Sequence, residues 1–266
     1  MRRKSDELVL LITGCISPDP TQKFLKLTSP EVRLKQYIDC IEYYIFDSDF
    51  KLIVFCDNSN TTFDTSELHQ MAKKNSKEIE ILTFMGDTGK TIEKGKGFGE
   101  GEIIAFALHN SLLLRKAKAF AKVTGRLKIK NINTIIKNVR GGNFFNSDIY
   151  RIGAIDTRFY ICDINYYNRY LRNVYENTSY EHSMALEDLF RIALDKNHHY
   201  KCTRRYPRFE GVSGGSGRNY SRENRCKLLF FDLLCGLGVF TSIYHLYSKS
   251  IIRKAIWHFW GRTIKV

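Results

Sequence analysis

The chain has 266 residues and a formal charge of +14, with 42 lysines and arginines against 28 aspartates and glutamates. Hydrophobic content of 43% and aromatic content of 13% supply a substantial core, which excludes a largely disordered chain and fits one large domain or a domain with an appendage. The positive balance points to an anionic partner: a nucleic acid, a phosphorylated small molecule or an anionic membrane.

Leu8–Ile12 is a short apolar run behind Asp6 and Glu7 with no small-residue cleavage site after it, so it reads as a first core strand rather than a secretory leader. Thr13-Gly14-Cys15-Ile16-Ser17-Pro18 breaks it into a loop. Ser29-Pro30 then starts a helix, with serine as the cap and proline at the first helical position. Val32, Leu34, Tyr37, Ile38, Ile41 and Ile45 mark its apolar side. Lys51–Cys56 is a second buried strand ending in Asp57-Asn58, a weak helix covers Ser66–Lys74, and Ile79–Met85 is a third strand. The β-α-β-α-β order predicts a mainly parallel sheet with helices on its faces.

The stretch Gly86–Arg126 continues the pattern with lysine-bearing glycine turns, a Gly-Glu-Gly-Glu step into a helix over Gly101–Lys118, and a strand over Ala119–Val123. Gly89-Lys90-Thr91 is not a nucleotide P-loop, because the residue five positions before Gly89 is Phe84. The glycines at 95, 97, 99 and 101 miss the dinucleotide spacing, because residue 100 is glutamate. Small residues still let backbone amides approach an anion, and Lys90, Lys94 and Lys96 could offset a diphosphate's charge; the plainer reading is a solvated loop. Lys122-Val123-Thr124-Gly125-Arg126 closes the strand with two cations and a hydroxyl, at the sheet edge where open α/β folds bind ligands.

Beyond Arg126, Lys128–Val139 and Arg151–Ile164 read as mixed strands around a polar Gly141–Asp148, with helices over Tyr166–Glu176 and Tyr180–Asp195. Asp156 and Arg158 are two apart on a strand and share a side, so they either bind sugar hydroxyls or pair with each other. Glu181-His182 opens the later helix, and Asp188 lies seven residues on, on the same face. Thr178-x-x-Glu181 is also a capping box, which explains Glu181 without any chemistry. Ser213, Gly214, Ser216, Gly217 and Arg218 belong to a glycine-hinged cationic loop, read either as a lid or as a linker. Seven cysteines with no C-x-x-C pair indicate a reducing compartment and no zinc site, and His198-His199 is too isolated to propose one.

The C-terminal part divides at about residue 222. Leu228–Phe240 is apolar except for Asp232 but too short to span a bilayer. Ser250–Val266 alternates an Ile, Ala, Phe and Trp face with a Lys and Arg face, the pattern of an interfacial membrane helix or of a helix packed on protein. Residues 1–222 are therefore expected to form the α/β domain and 223–266 a helical, membrane-associating appendage.

Several motifs in order resemble small bacterial glycosyltransferases of capsule, O-antigen and lipooligosaccharide assembly. They are an opening strand with a Thr-Gly-Cys loop, a second strand ending Cys-Asp-Asn, the Gly-Glu-Gly-Glu helix, and Lys-Val-Thr-Gly-Arg, and the likeness covers roughly Leu8–Tyr220. The resemblance implies a GT-A-like, Rossmann-like fold and transfer of a sugar, with inversion, from a nucleotide donor (UDP-linked by preference) to a lipid-linked saccharide on the inner face of the cell membrane. It further implies that Thr13, Gly14, Ser17, Asp57, Asn58, Lys94, Lys96, Gly97, Glu100, Lys122, Thr124, Gly125, Arg126 and the 213–218 loop face the donor. Asp156, Arg158 and His182 would then meet the sugar or acceptor, and Glu181 or Asp188 would be the base. The chain departs from the wider fold in lacking Asp-x-Asp at the Lys122–Arg126 position. No cofactor is therefore assigned, a manganese or magnesium ion stays an open alternative, and Lys122 with Arg126 is expected to stabilise the leaving diphosphate. A basic nucleic-acid-binding protein and an inactive membrane scaffold are the rival classes.

Overall fold

The computed structural model describes residues 8–23, 25–139, 141–148, 154–197, 200–213, 217–222 and 224–237. In chain order the first half comprises β1 (Leu8–Gly14), α1 (Pro30–Asp47), β2 (Leu52–Asp57), α2 (Ser66–Lys74), β3 (Glu78–Thr83), α3 (Thr88–Lys94), α4 (Lys96–Asn110), α5 (Leu112–Lys116) and β4 (Ala119–Thr124). Then come β5 (Lys128–Ile129), α6 (Ile132–Lys137), β6 (Asn143–Ser147), β7 (Ile155–Asp163), α7 (Ile164–Tyr170), α8 (Leu186–Asn197), β8 (Tyr200–Lys201), β9 (Phe209–Glu210) and α9 (Arg225–Gly236).

Seven strands form one sheet in the order β3-β2-β1-β4-β7-β6-β8. The pairs β3-β2, β2-β1 and β1-β4 are parallel, β7 runs antiparallel to β4 and β6, and β8 is parallel to β6. β1 is therefore buried on both faces and reads as a continuous apolar run, as a central parallel strand should. Its alternate side chains serve two cores. Leu10 and Ile12 pack with Tyr37, Ile41 and Tyr44 of α1 and Ile132 of α6, while Val9 and Leu11 pack with Ile104 and Ala107 of α4 and Phe190 of α8. The start of α1 is the one the sequence announces: Ser29 Oγ accepts from Val32 N, with Pro30 in the first turn.

The structure revises several boundaries. The glycine-rich segment is helical: α3 ends at Lys94, Gly95 turns the chain at a φ of 103°, and α4 begins at once with Lys96. Its glycines serve close packing. A Cβ on Gly101 would stand 2.2 Å from Cβ of Tyr175, and one on Gly97 would stand 2.9 Å from Cβ of Leu186. Half of Lys128–Val139 is not strand but the helix α6, whereas the polar stretch 143–147 is strand β6. The helix expected from Tyr180 begins only at Leu186, because residues 180–183 form a turn in which Ser183 has a φ of 50°. Asp188 Oδ2 accepts from Ala185 N at 3.1 Å, so Asp188 reaches back over the first turn of α8.

Arg205 and Arg208 both pair with the buried Asp232 of α9, at 3.4 and 3.0 Å, and Phe231 and Cys235 pack on Tyr206 and Cys202. The first part of the expected appendage is thus attached to the α/β body. No helix among the described residues is long and apolar enough to cross a membrane. The amphipathic segment 250–266, like residues 238–249 and His198-His199, lies outside the described residues.

Candidate functional site

Parallel sheets open a crevice where consecutive connections leave in opposite directions. Here that point lies between β1, whose chain proceeds to β2, and β4, which enters on the other side of β1. The two strand ends are pressed together: Gly125 N donates to Thr13 O at 2.9 Å. A Cβ on Gly125 would come within 2.3 Å of that oxygen, which explains the glycine. A cleft of about 450 Å³ opens there. Its walls are the strand ends Thr13, Gly14 and Thr124, the loop residues Gln22 and Lys23, the α4 face bearing Lys96, Gly99 and Glu100, and Asp156, Thr157 and Arg158 of β7. A smaller chamber of about 170 Å³ shares Cys15, Pro18, Gln22, Asn58 and Thr91 with it.

The cleft is lined by Lys23, Arg33, Lys96, Arg126, Arg158 and Arg218 against Glu100, Asp148, Asp156 and Glu187. Arg33 is occupied by the chain itself: it donates to Cys15 O at 2.8 Å and Leu27 O at 3.1 Å, fixing the loop that follows β1. Arg126 is held by Gln36 Oε1 at 3.1 Å and lies over the Tyr37 ring. Burial lowers its guanidinium below the ordinary arginine value, an offset that an anionic ligand would reverse. Arg158 pairs with Asp156 through two bonds of 2.8 and 2.7 Å and lies against both Phe209 and Tyr220, at 4.3 and 4.9 Å from the ring centroids. The alternative in which these two bind each other is the one the geometry presents, although both still face the cleft.

Glu187 is the cleft carboxyl with the strongest claim to proton chemistry. It is half-buried at the start of α8 and accepts from Thr157 Oγ1 at 3.2 Å. Burial first, and the nearby charge of Glu100 second, raise it above the ordinary glutamate value. Cys15, the cleft thiol, is pushed up to about 11 by burial and is no nucleophile near neutrality.

The structure brings Thr13, Gly14, Asn58, Lys96, Glu100, Thr124, Arg126, Ser213, Arg218, Asp156 and Arg158 to the cleft. Ser17 lines the smaller chamber, where its hydroxyl lies 2.8 Å from Thr61 Oγ1. Other expected residues stand elsewhere. Asp57 is buried as a staple, its carboxylate accepting from Ile16 N at 2.6 Å, Ser59 N at 3.0 Å and Thr83 Oγ1 at 3.2 Å. These bonds tie the loop after β1 and the end of β3 to the turn after β2. Lys122 is fully buried beneath the cleft floor, paired with Glu100. Lys94 donates to Glu176 O at 2.7 Å on the outer side of α3. Gly97 packs on α8, Gly125 on β1, and Gly217 beside Lys26, with a φ of 69°. Gly214 and Ser216 lie outside the described residues. Glu181 and His182 are exposed in the turn before α8, away from the cleft, and Asp188 points to the helix's own N-terminus.

Sequence reasoning passed over Glu187, although it adjoins Asp188, because it placed the helix start six residues early and so assigned the wrong face. Gln22, Lys23 and Tyr37 carried no local signal at all. No Asp-x-Asp pair of the described residues faces this cleft. Asp156 is bound by Arg158 and Glu100 by Lys122, and among the described residues no three acidic, histidine or cysteine side chains converge on a metal position.

No protein-family model matches the chain, and no curated protein does. Among solved structures it is similar to the glycosyltransferase GlyE of Streptococcus pneumoniae, at 7% identity and a TM-score of 0.47, over 73% of this chain and 44% of that one. It is also similar to a cytidylyltransferase from Leptospira borgpetersenii, at 12% identity and a TM-score of 0.40, over 98% and 99% of the two chains. The chain thus spans less than half the length of the pneumococcal protein. Likenesses of this size identify no family, and what stands from the coordinates is a mixed, mainly parallel α/β sheet with a cation-rich cleft at its strand ends.

Proposed function

We propose that the protein is a glycosyltransferase that moves a sugar from a nucleotide donor, UDP-linked by preference, to a lipid-linked saccharide in bacterial surface-polysaccharide assembly. The observation that carries this reading is the pairing, in one cleft at the sheet's crevice, of the cations Lys96, Arg126 and Arg218 with the half-buried carboxyl Glu187. A diphosphate needs the first and an attacking hydroxyl the second.

In a single displacement the acceptor oxygen bonds to the anomeric carbon as the bond from that carbon to the diphosphate oxygen breaks. The electron pair leaves with the diphosphate, and the hydroxyl proton passes to the Glu187 carboxylate, giving inversion. Arg126 and Lys96 stabilise the charge that builds on the leaving group. Glu187 replaces Glu181 and Asp188 in the role of base, because it alone of the three lines the cleft. Thr13, Gly14 and Asn58, at the ends of β1 and β2, form the nucleoside side. Asn58 Oδ1 is buried without a hydrogen-bond partner, which favours a ligand N–H there.

A bilayer as the working surface is supported by α9, on which Leu229, Phe230 and Leu233 are exposed along one stripe that Leu237 extends just past its end. On this reading the enzyme works on the inner face of the cell membrane, where lipid-linked acceptors meet cytoplasmic nucleotide sugars. Isothermal calorimetry with UDP-, GDP-, CMP- and dTDP-linked sugars, with and without manganese, tests the proposal. Binding of one class without metal is expected, and no binding by any would overturn it.

A further inference from the structure

Among the described residues Lys122 is the charged side chain sealed most completely in the core: it is fully buried, whereas its partner Glu100 is 22% exposed and faces the cleft. Its ammonium donates to Glu100 Oε1, to Thr124 Oγ1 at 3.1 Å and to the Thr157 carbonyl at 2.7 Å, which uses all three protons. The hydroxyl of Thr157 bonds Glu187 Oε1 at 3.2 Å. Four elements, α4, β4, β7 and α8, thus contribute one residue each to the continuous chain Glu100–Lys122–Thr157–Glu187. A buried ion pair gives stability little net benefit over an apolar pair of the same volume. A hydrophobic core position would not need Lys122, and its placement directly behind two cleft carboxyls calls for another account.

We propose that Glu100 and Lys122 are positioning residues for Glu187: Lys122 fixes the Glu100 carboxylate at the cleft floor, and that fixed negative charge, balanced against the Thr157 hydroxyl, sets how tightly Glu187 holds a proton. Glu100, bonded to the buried lysine, lines the same cleft as Glu187, and burial together with that negative neighbour makes Glu187 hold its proton more tightly than an ordinary glutamate. A base that holds its proton more tightly than an ordinary glutamate takes one more readily from a sugar hydroxyl.

Of the other elements packed on α8, α7 carries Arg169, which does not line the cleft. α4 contributes Lys96, which opposes the effect of Glu100. β7 contributes Asp156 and Arg158, which are paired to each other. Asp188, next to it on α8, reaches back to Ala185 N. The turn Val174–Asn177 packed against α8 carries Glu176, which does not line the cleft.

The inference rests on the assignment of Glu187 as the base, but its test does not need turnover. In the full chain labelled with carboxyl-¹³C glutamate, the Glu187 resonance is identified by its loss in Glu187→Gln and titrated by NMR. Glu100→Gln removes the negative neighbour and is expected to move the Glu187 midpoint to lower pH. Thr157→Val removes the hydroxyl that favours the ionised form and is expected to move it to higher pH. The double substitution Glu100→Gln/Lys122→Met leaves no isolated buried charge and is expected to move it down as well, so the test survives if Glu100→Gln alone does not fold. Unmoved midpoints, with only thermal stability altered, would show the chain to be scaffolding and overturn the proposal. Where transfer is measurable, the acid limb of kcat/KM should follow the same two directions. Absence of transfer with the NMR shifts intact would instead remove the glycosyltransferase reading and leave the coupling standing.

Discussion

Replacing Gly101 by alanine tests whether the glycine-rich segment is a packed helix or a ligand-cradling loop. In a solvated helix or loop this change is harmless or better, since alanine is favoured over glycine by about 1 kcal/mol in a helix interior. In the structure the new Cβ would stand 2.2 Å from Tyr175 Cβ and 2.3 Å from its Cγ. That is about 1.4 Å short of an ordinary carbon–carbon contact of roughly 3.6 Å. Both Cβ atoms are fixed to their backbones, so no rotamer change relieves the overlap, and α4 must separate from the Val174–Asn177 turn. Overpacking of this kind costs about 3 kcal/mol at the upper end of its usual range. Subtracting the propensity gain leaves about 2 kcal/mol, or a fall in Tm of roughly 4–8 °C for a domain of this size. Differential scanning calorimetry reads this directly. Gly89→Ala in α3 is the internal control, because its Cβ would meet only Asp87 Oδ1 at 3.6 Å, and its Tm should hold or rise. A Gly101→Ala protein as stable as the parent would refute the close packing, and with it the placement of Glu100 on the cleft wall.

Arg126→Ala should weaken binding of the nucleotide diphosphate by about 10- to 100-fold, the worth of a charge-assisted contact to a phosphate, and equal affinity by calorimetry would remove Arg126 from the site. Asp57→Ala strands the donors of Ile16, Ser59 and Thr83 and should lower unfolding stability by roughly 3 kcal/mol in urea titrations; a loss of nucleotide affinity without loss of stability would return Asp57 to the ligand. The raised proton affinity of Glu187 means that the folded state binds its proton more tightly than the unfolded chain does. That contribution to stability is complete below the unfolded glutamate value and is lost as pH rises through the folded one. Glu187→Gln should therefore abolish transfer yet raise Tm relative to the parent, more at pH 8 than at pH 4, in parallel thermal scans.

The alternation of the early chain was legible because each element carries its own signal: the Ser29-Pro30 start of α1, the all-apolar β1, the strand β2 ending at Asp57. Those are consequences of local geometry and burial, and one parallel half-sheet follows from them. The crevice between β1 and β4, with Thr13, Thr124 and Arg126 on its rim, was equally within reach, since ligand sites of open sheets lie at strand ends. Residue types in the 86–126 stretch also single out its cations and glycines. They could not state why. Gly97 and Gly101 are identical in sequence terms whether an anion or a neighbouring helix approaches them, and only the positions of Leu186 and Tyr175 show that it is a helix. A lysine at residue 122 likewise points into a core or a cleft according to which face of β4 it takes and what covers that face. The covering helices α4 and α8 come from segments more than 60 residues apart. The same long-range meeting decides that Glu187 and not Glu181 reaches the cleft. The distinction depends on where one helix begins, and Thr178-x-x-Glu181 offered a start that the packed chain does not use.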